Sequence, residues 1–260
     1  MPRTVLLLGG TGRTGRAALA ELLARDIPVR AIVRSAARLP AALAANPRLA
    51  VIEAELLALP DETLRRHVEG CSAVISCLGH TLSLRGVFGP PRDLVAQATT
   101  RLCGAIDALR PPAPVKFILM SSVSVNRPSR LDARRGDAER AVLWLLRATV
   151  PPARDNQRAA DFLVHCIGAE HPHLQWVVLR PDSLVAGDVS AYNLHEGLVD
   201  VLIKPGRTSI ANVAHCMAEL VTDSAAWGNW SGRLPVIVNG PQVTTQGERA
   251  SRREGEGGVR

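Results

Sequence analysis

The run Gly9-Gly10-Thr11-Gly12-Arg13-Thr14-Gly15 has the small side chains needed to bring a backbone against a pyrophosphate. Gly10, Gly12 and Gly15 satisfy G-x-G-x-x-G, while Gly9, Gly12 and Gly15 equally satisfy G-x-x-G-x-x-G. Glycine-rich turns are common, so the context decides. The apolar run Thr4–Leu8 precedes the loop, and Leu19, Leu22 and Leu23 form a helical stripe after it, so phosphate charge would meet the amides of a helix N-terminus. A P-loop is excluded, because it needs Gly-Lys-Ser/Thr and no lysine lies near. The residue ending the second strand sorts dinucleotides, since NAD sites place Asp or Glu there to accept from the ribose hydroxyls. Here it is Arg34, a cation suited to a 2′-phosphate, with Arg13 in the loop and Arg38 one turn on. The cofactor reading is therefore NADP(H); the competing one is an arginine capping a strand in solvent.

Such residues need a scaffold. Apolar, β-branched runs at Thr4–Leu8, Val29–Val33, Leu49–Ala54, Ala73–Cys77, Val115–Met120, Leu174–Leu179 and Pro235–Val238 predict strands. Between them, helical periods run through Thr63–Val68, Leu94–Leu109, Ala138–Arg147, Asn156–Gly168 and Val213–Thr222. The alternation predicts the α/β class: a Rossmann-type doubly wound parallel sheet with a small substrate-covering C-terminal segment. The length suits a single domain over residues 1–245. Gly187, Gly197, Pro205 and Gly206 interrupt the pattern across residues 181–208. Late insertions of this kind sit over the carboxyl ends of the strands, which makes this segment the expected substrate lid. The tail 246–260 is charged and glycine-rich, and disorder is expected there.

Composition narrows the classes. A formal charge of +7 invites a nucleic-acid reading, but the arginines are scattered and the chain carries only three Phe and one Tyr, so nucleic acid is not an expected partner. No apolar run approaches the roughly 18 residues of a membrane span, and the opening apolar run leads straight into glycines and arginines, unlike a secretory signal. No membrane partner, a cytoplasmic location and a small-molecule substrate are expected. Cys71, Cys77, Cys103, Cys166 and Cys216 are odd in number and never spaced Cys-x-x-Cys, so neither a disulfide framework nor a zinc site is suggested. His165, Cys166, His171 and His173 straddle a helix end and a turn without a recognisable metal pattern, and read as a solvated loop.

The opening run with Val33-Arg34-Ser35 and Arg38-Leu39-Pro40 resembles the atypical short-chain dehydrogenase/reductases of the NmrA-like, NAD(P)H-binding group, in particular the biliverdin-IXβ/flavin reductases. Glu53-Ala54-Glu55-Leu56, Ser76-Cys77-Leu78-Gly79, Met120-Ser121-Ser122 and Leu179-Arg180-Pro181-Asp182 extend the likeness over roughly residues 3–240, in order and with the right spacing. The resemblance implies that Glu55, where the group usually has an aspartate, and Leu56 lie near the adenine. It further places Leu78 and Gly79 beside the ribose, Ser121 at the cofactor and Pro181 near the nicotinamide.

Members of the wider superfamily protonate the substrate oxygen with a tyrosine assisted by a lysine four residues on and a serine. In this chain Ala153 aligns with the tyrosine and Gln157 with the lysine, while the single tyrosine, Tyr192, is followed by Glu196. Ser122 matches the serine. It either holds a substrate oxygen or satisfies strand-end backbone. His80, after Gly79, is the second catalytic candidate, with a pKa suited to proton transfer. Asn126, Arg154, Asp155 and Asn156 flank the same cleft, where Arg154 or Asp155 would orient substrate or form a surface ion pair. Three functions fit a cofactor loop without the acid: an NADPH-dependent reductase of a flavin, quinone, enone or carbonyl metabolite, an NAD(P)-sensing regulator, and a non-redox isomerase or cyclase.

Overall fold

The fold is given by a computed structural model, which describes residues 4–79, 91–126, 151–199 and 206–240. Parallel strands β1 (Thr4–Leu8), β2 (Val29–Val33), β3 (Leu49–Glu53), β4 (Cys71–Ser76), β5 (Val115–Met120) and β6 (Leu174–Pro181) are joined on one side by β10 (Val236–Asn239). With β8 (Tyr192–His195) antiparallel to β10, the order is β3-β2-β1-β4-β5-β6-β10-β8. The first six positions are the doubly wound order, and it reverses between β1 and β4, where a crevice opens at the carboxyl ends of the strands.

Strands buried on both faces explain the continuous apolar runs. β1 and β4 alternate their side chains between two cores. On one face α1 (Arg13–Ala24) packs against α6 (Ile210–Thr222) around Leu19, Leu22, Val213 and Met217. On the other, α3 (Asp61–Val68), α4 (Leu94–Leu109) and α5 (Pro151–Phe162) pack around Leu64, Leu102, Phe117 and Ala159. Among the described residues, the remaining α-helices are the single turn α2 (Ala41–Ala44) and α7 (Ser224–Trp230), which Asp223 caps through its side chain. No helix among the described residues is long and apolar enough to cross a membrane.

Most element bounds shift by a few residues from expectation, and the larger departures lie in the second half of the chain. α5 includes Pro151 and so extends to the N-terminal side of the expected start at Asn156. It runs into a π-helical turn, Leu163–Ile167. The segment expected to be irregular contributes β7 (Ser183–Val185), β8 and, with β9 (Arg207–Ser209), a small parallel pair. The helix expected over Ala138–Arg147, His80 and the tail 246–260 lie outside the described residues.

Buried Asn212 knits this region together. Its Nδ2 donates to Ser190 Oγ (3.1 Å) and Asn239 Oδ1 (2.8 Å), and its Oδ1 accepts from the Ser190 amide (2.8 Å). Ser209 caps α6 through the Asn212 amide and donates its own amide to Asn239. The start of α6, the approach to β8 and the end of β10 thus share one polar network.

Candidate functional site

The glycine loop turns at the mouth of the β1/β4 crevice. Gly9 adopts φ +75°, and a Cβ there would lie 2.4 Å from the Cys77 carbonyl oxygen. A Cβ on Gly15 would lie 2.2 Å from the Gly9 oxygen, whereas one on Gly10 would meet only Leu7 and Val33 at ordinary contact distances. The operative spacing is therefore Gly9, Gly12 and Gly15, with Gly10 an ordinary position. Gly12 is the N-cap of α1, its amide donating back to Gly9 O (2.9 Å). The first-turn amides of Arg13, Thr14 and Gly15 have no intrahelical acceptor, which makes this end of α1 fit for an anion. Thr14 and Gly15 are buried in the turn, and Arg13 is exposed.

One cleft is lined by Gly9, Thr11, Gly12, Arg34, Arg38, Glu55, Leu56, Leu78 and Gly79, together with Pro91 and Leu94. Nine sequence-predicted cofactor residues from four strand ends are thereby brought together. Arg34 and Arg38 are exposed on its rim, and neither has an ion pair among the described residues. Two braces escaped sequence reasoning. The Glu53 carboxylate accepts from the Ala36 amide (2.7 Å) and so fixes the 3-10 turn Ala36–Arg38 between the two arginines. Arg101 on α4 donates to the carbonyls of Leu56 (3.0 Å), Leu57 (2.8 Å) and Leu59, holding the turn that carries Glu55 and Leu56.

Ser121 and Ser122 follow β5 and Pro181 ends β6, further along the carboxyl edge of the sheet. Ser121 is buried and its hydroxyl has no hydrogen-bond partner, the orphaned donor expected beside an absent polar ligand. Ser122 Oγ lies 2.6 Å from Ser124 Oγ and accepts from the Ser124 amide (3.3 Å), so it also supports its own turn. The side chain at position 157 has a clear occupation. Gln157 Oε1 accepts from the Asn126 amide (2.9 Å), and its Nε2 donates to the Asn126 carbonyl (3.0 Å) and to Asp161 (2.8 Å). This side chain clasps the backbone of the turn that presents Ser122.

Other polar candidates turn out to hold the scaffold. Asp155, considered for substrate orientation, is buried and accepts from the Val95 (2.8 Å) and Ala96 (2.9 Å) amides at the start of α4. Arg180 is fully buried and donates to the Leu234 (2.8 Å) and Val125 (3.0 Å) carbonyls, joining the approach to β10 to the turn after β5. Lys116 Nζ donates to the Leu220 and Val221 carbonyls (both 2.9 Å) at the end of α6. Tyr192 lies against α6, its hydroxyl 2.9 Å from His215 Nδ1, and burial raises its pKa well above the phenol range. Burial likewise pushes the Cys77 thiol up to about 12.

Comparison with known proteins agrees with this geometry. Residues 9–224 match the NAD(P)H-binding family model. An uncharacterized chloroplastic protein of Arabidopsis thaliana is 28% identical over 127 residues, 48% of this chain and only 42% of that relative's length. The fold is shared with the oxidoreductase ylbE of Lactococcus lactis (18% identity, 91% of each chain, TM-score 0.65). It is shared equally with a short-chain dehydrogenase/reductase of Veillonella parvula (14%, 93% of this chain and 96% of that one, TM-score 0.67). ChuY of Escherichia coli O157:H7, an anaerobillin reductase, is a third structure of this shape (17%, 92% and 98%, TM-score 0.62). The matched model covers most of the chain and includes the glycine loop from its first residue, so this protein belongs to the NAD(P)H-binding family.

Proposed function

We propose that the chain is an NADPH-dependent oxidoreductase that reduces a small organic acceptor, a flavin, quinone, enone or carbonyl metabolite, without a tyrosine–lysine pair. The observation that carries the reading is the pair Arg34 and Arg38, two exposed guanidiniums on the glycine cleft with no ion pair among the described residues. A 2′-phosphate supplies the anion they lack, and Arg13 adds charge from the loop. Gly9, Gly12 and Gly15 admit the pyrophosphate, Thr11 and Thr14 flank it, and Leu78 and Gly79 border the ribose. Glu55 and Leu56 border the adenine, and Ser121 and Pro181 lie towards the nicotinamide. When bound, the reduced nicotinamide supplies a hydride. Ser122 holds the acceptor oxygen, His80 or water provides the proton, and residues 181–208 wall the acceptor site. The reductase name of ChuY, which has the same fold, supports this class.

A second reading, an NAD(P)-sensing protein of NmrA type, is favoured by Gln157 and Ser122 being engaged in holding their own turn. One assay separates the two: NADPH is incubated with flavins, quinones and enones while loss of reduced-cofactor absorbance is followed. Turnover supports the reductase, and tight binding without turnover supports the sensor. NADPH is expected to bind at least about tenfold tighter than NADH, a difference of roughly 1.4 kcal/mol, and Arg34→Glu to remove or reverse that preference. Equal affinities in the parent protein would refute the NADP assignment.

A further inference from the structure

At the opposite end of the sheet from the glycine loop, the turn entering β6 meets the last turn of α4. There Asp107 Oδ1 lies 2.9 Å from His173 Nδ1 and 3.6 Å from His171 Nε2. One ligand atom from each of the three side chains lies within 4.8 Å of the other two. The two rings stand edge to face, with centroids 6.0 Å apart and planes at 70°, so their nitrogens approach the carboxylate from different directions. A tetrahedral ion with bonds of about 2.0–2.1 Å separates its ligand atoms by about 3.3 Å. The two distances to Asp107 bracket that edge, so small side-chain torsions suffice to close the set around an ion.

The scaffold under this cluster is firm. The Val115 amide donates to the His173 carbonyl (2.9 Å), which ties the turn to the start of β5, and Ile106 anchors the end of α4 in the core. Both imidazoles are partly exposed, 19% and 24%, open enough for an ion and a water to enter. We propose that Asp107, His171 and His173 form a site for one divalent transition-metal ion of the zinc type, with water in the fourth position. Two neutral imidazoles and a carboxylate suit Zn²⁺, Co²⁺ or Ni²⁺ better than Mg²⁺ or Ca²⁺, which prefer all-oxygen sets. His171 binds through Nε2 and His173 through Nδ1, each keeping its ring proton on the other nitrogen. The long contact from the His173 amide to His171 Nδ1 (3.3 Å) therefore opens on metal uptake. The ion ties α4 to the entry of β6 and shares no ligand with the dinucleotide cleft.

The test uses the tag-free full-length chain, stripped with chelator and titrated with Zn²⁺ by calorimetry and with Co²⁺ by visible absorption. One equivalent is expected, with Co²⁺ d–d bands and no thiolate charge-transfer band. His173→Ala and Asp107→Ala should each weaken binding by about 100-fold or more, beyond the effect of losing a supporting contact. His171→Ala, which removes a partly exposed ring, repeats the test if either of those variants fails to fold by circular dichroism. Absence of stoichiometric uptake, a thiolate band, or uptake retained within threefold by the His171→Ala/His173→Ala double variant overturns the proposal.

Discussion

Gly10 and Gly15 are equivalent in the sequence motif and unlike in their surroundings. A methyl on Gly15 would run into the Gly9 carbonyl at 2.2 Å, while one on Gly10 touches only the ends of Leu7 and Val33 side chains at 3.6 and 3.8 Å. Gly15→Ala should therefore force the loop open and weaken NADPH binding at least about tenfold, whereas Gly10→Ala should leave it within about twofold, as read by cofactor fluorescence titration. Sequence showed that a glycine loop existed; it left two registers open, because the close approach at Gly9 is to Cys77, nearly seventy residues on. The thiols divide the same way. Burial raises Cys77 and Cys216 to about 12 and raises Cys71 and Cys103, while Cys166 is exposed on the π turn. The thiolate is the reactive form, so at pH 8 iodoacetamide should alkylate Cys166 alone in the native protein and the other four only after unfolding, counted by intact mass. Rapid native labelling of Cys77, which is partly buried and lines the glycine cleft, would show that its thiol is reached from that cleft.

At the scale of elements, one polar side chain of α5 has a defined structural use. Gln157 on α5 spends both halves of its amide on Asn126, so this helix steadies the turn after β5. If Ser122 works from that turn, Gln157→Leu should lower turnover about tenfold while NADPH affinity moves less than about threefold; a small displacement of a reacting group is enough for such a loss. An equal fall in both would mean that the clasp maintains the whole fold. The clasp was not legible in the sequence, since residues 126 and 157 are brought together only by tertiary structure, in which α5 packs against α4. Strands β7, β8 and β9 were illegible for a related reason: at three or four residues each, they are defined by partners rather than by their own pattern.

For the molecule as a whole, the doubly wound parallel sheet was predictable from the alternation of strand and helix periods, because strands buried on both faces read as apolar runs. The edge beyond β6 rests instead on polar residues, with Asn212 at its centre. Asn212→Ala leaves the Ser190 amide without its acceptor and Asn239 Oδ1 without one of its donors in a buried setting, and should cost about 3 kcal/mol in urea unfolding. Hydrogen exchange should rise at residues 188–195 and 236–239 while β1 to β5 stay protected; uniform exchange across the sheet would contradict this division.

The position of β10 also has a bearing on how the chain is made. β8 reaches the sheet only through β10, which follows it by about forty residues and slots between β6 and β8. During synthesis from the N-terminus, the first six strands can assemble as they leave the ribosome, but Tyr192–His195 has no neighbour in the large sheet until Val236–Asn239 emerges. Nascent chains released before that point would expose the open side of β6, a parallel strand with unpaired amides and carbonyls, to other strands in the cell. The last few residues of the described fold thus decide when a growing polypeptide stops being prone to aggregate.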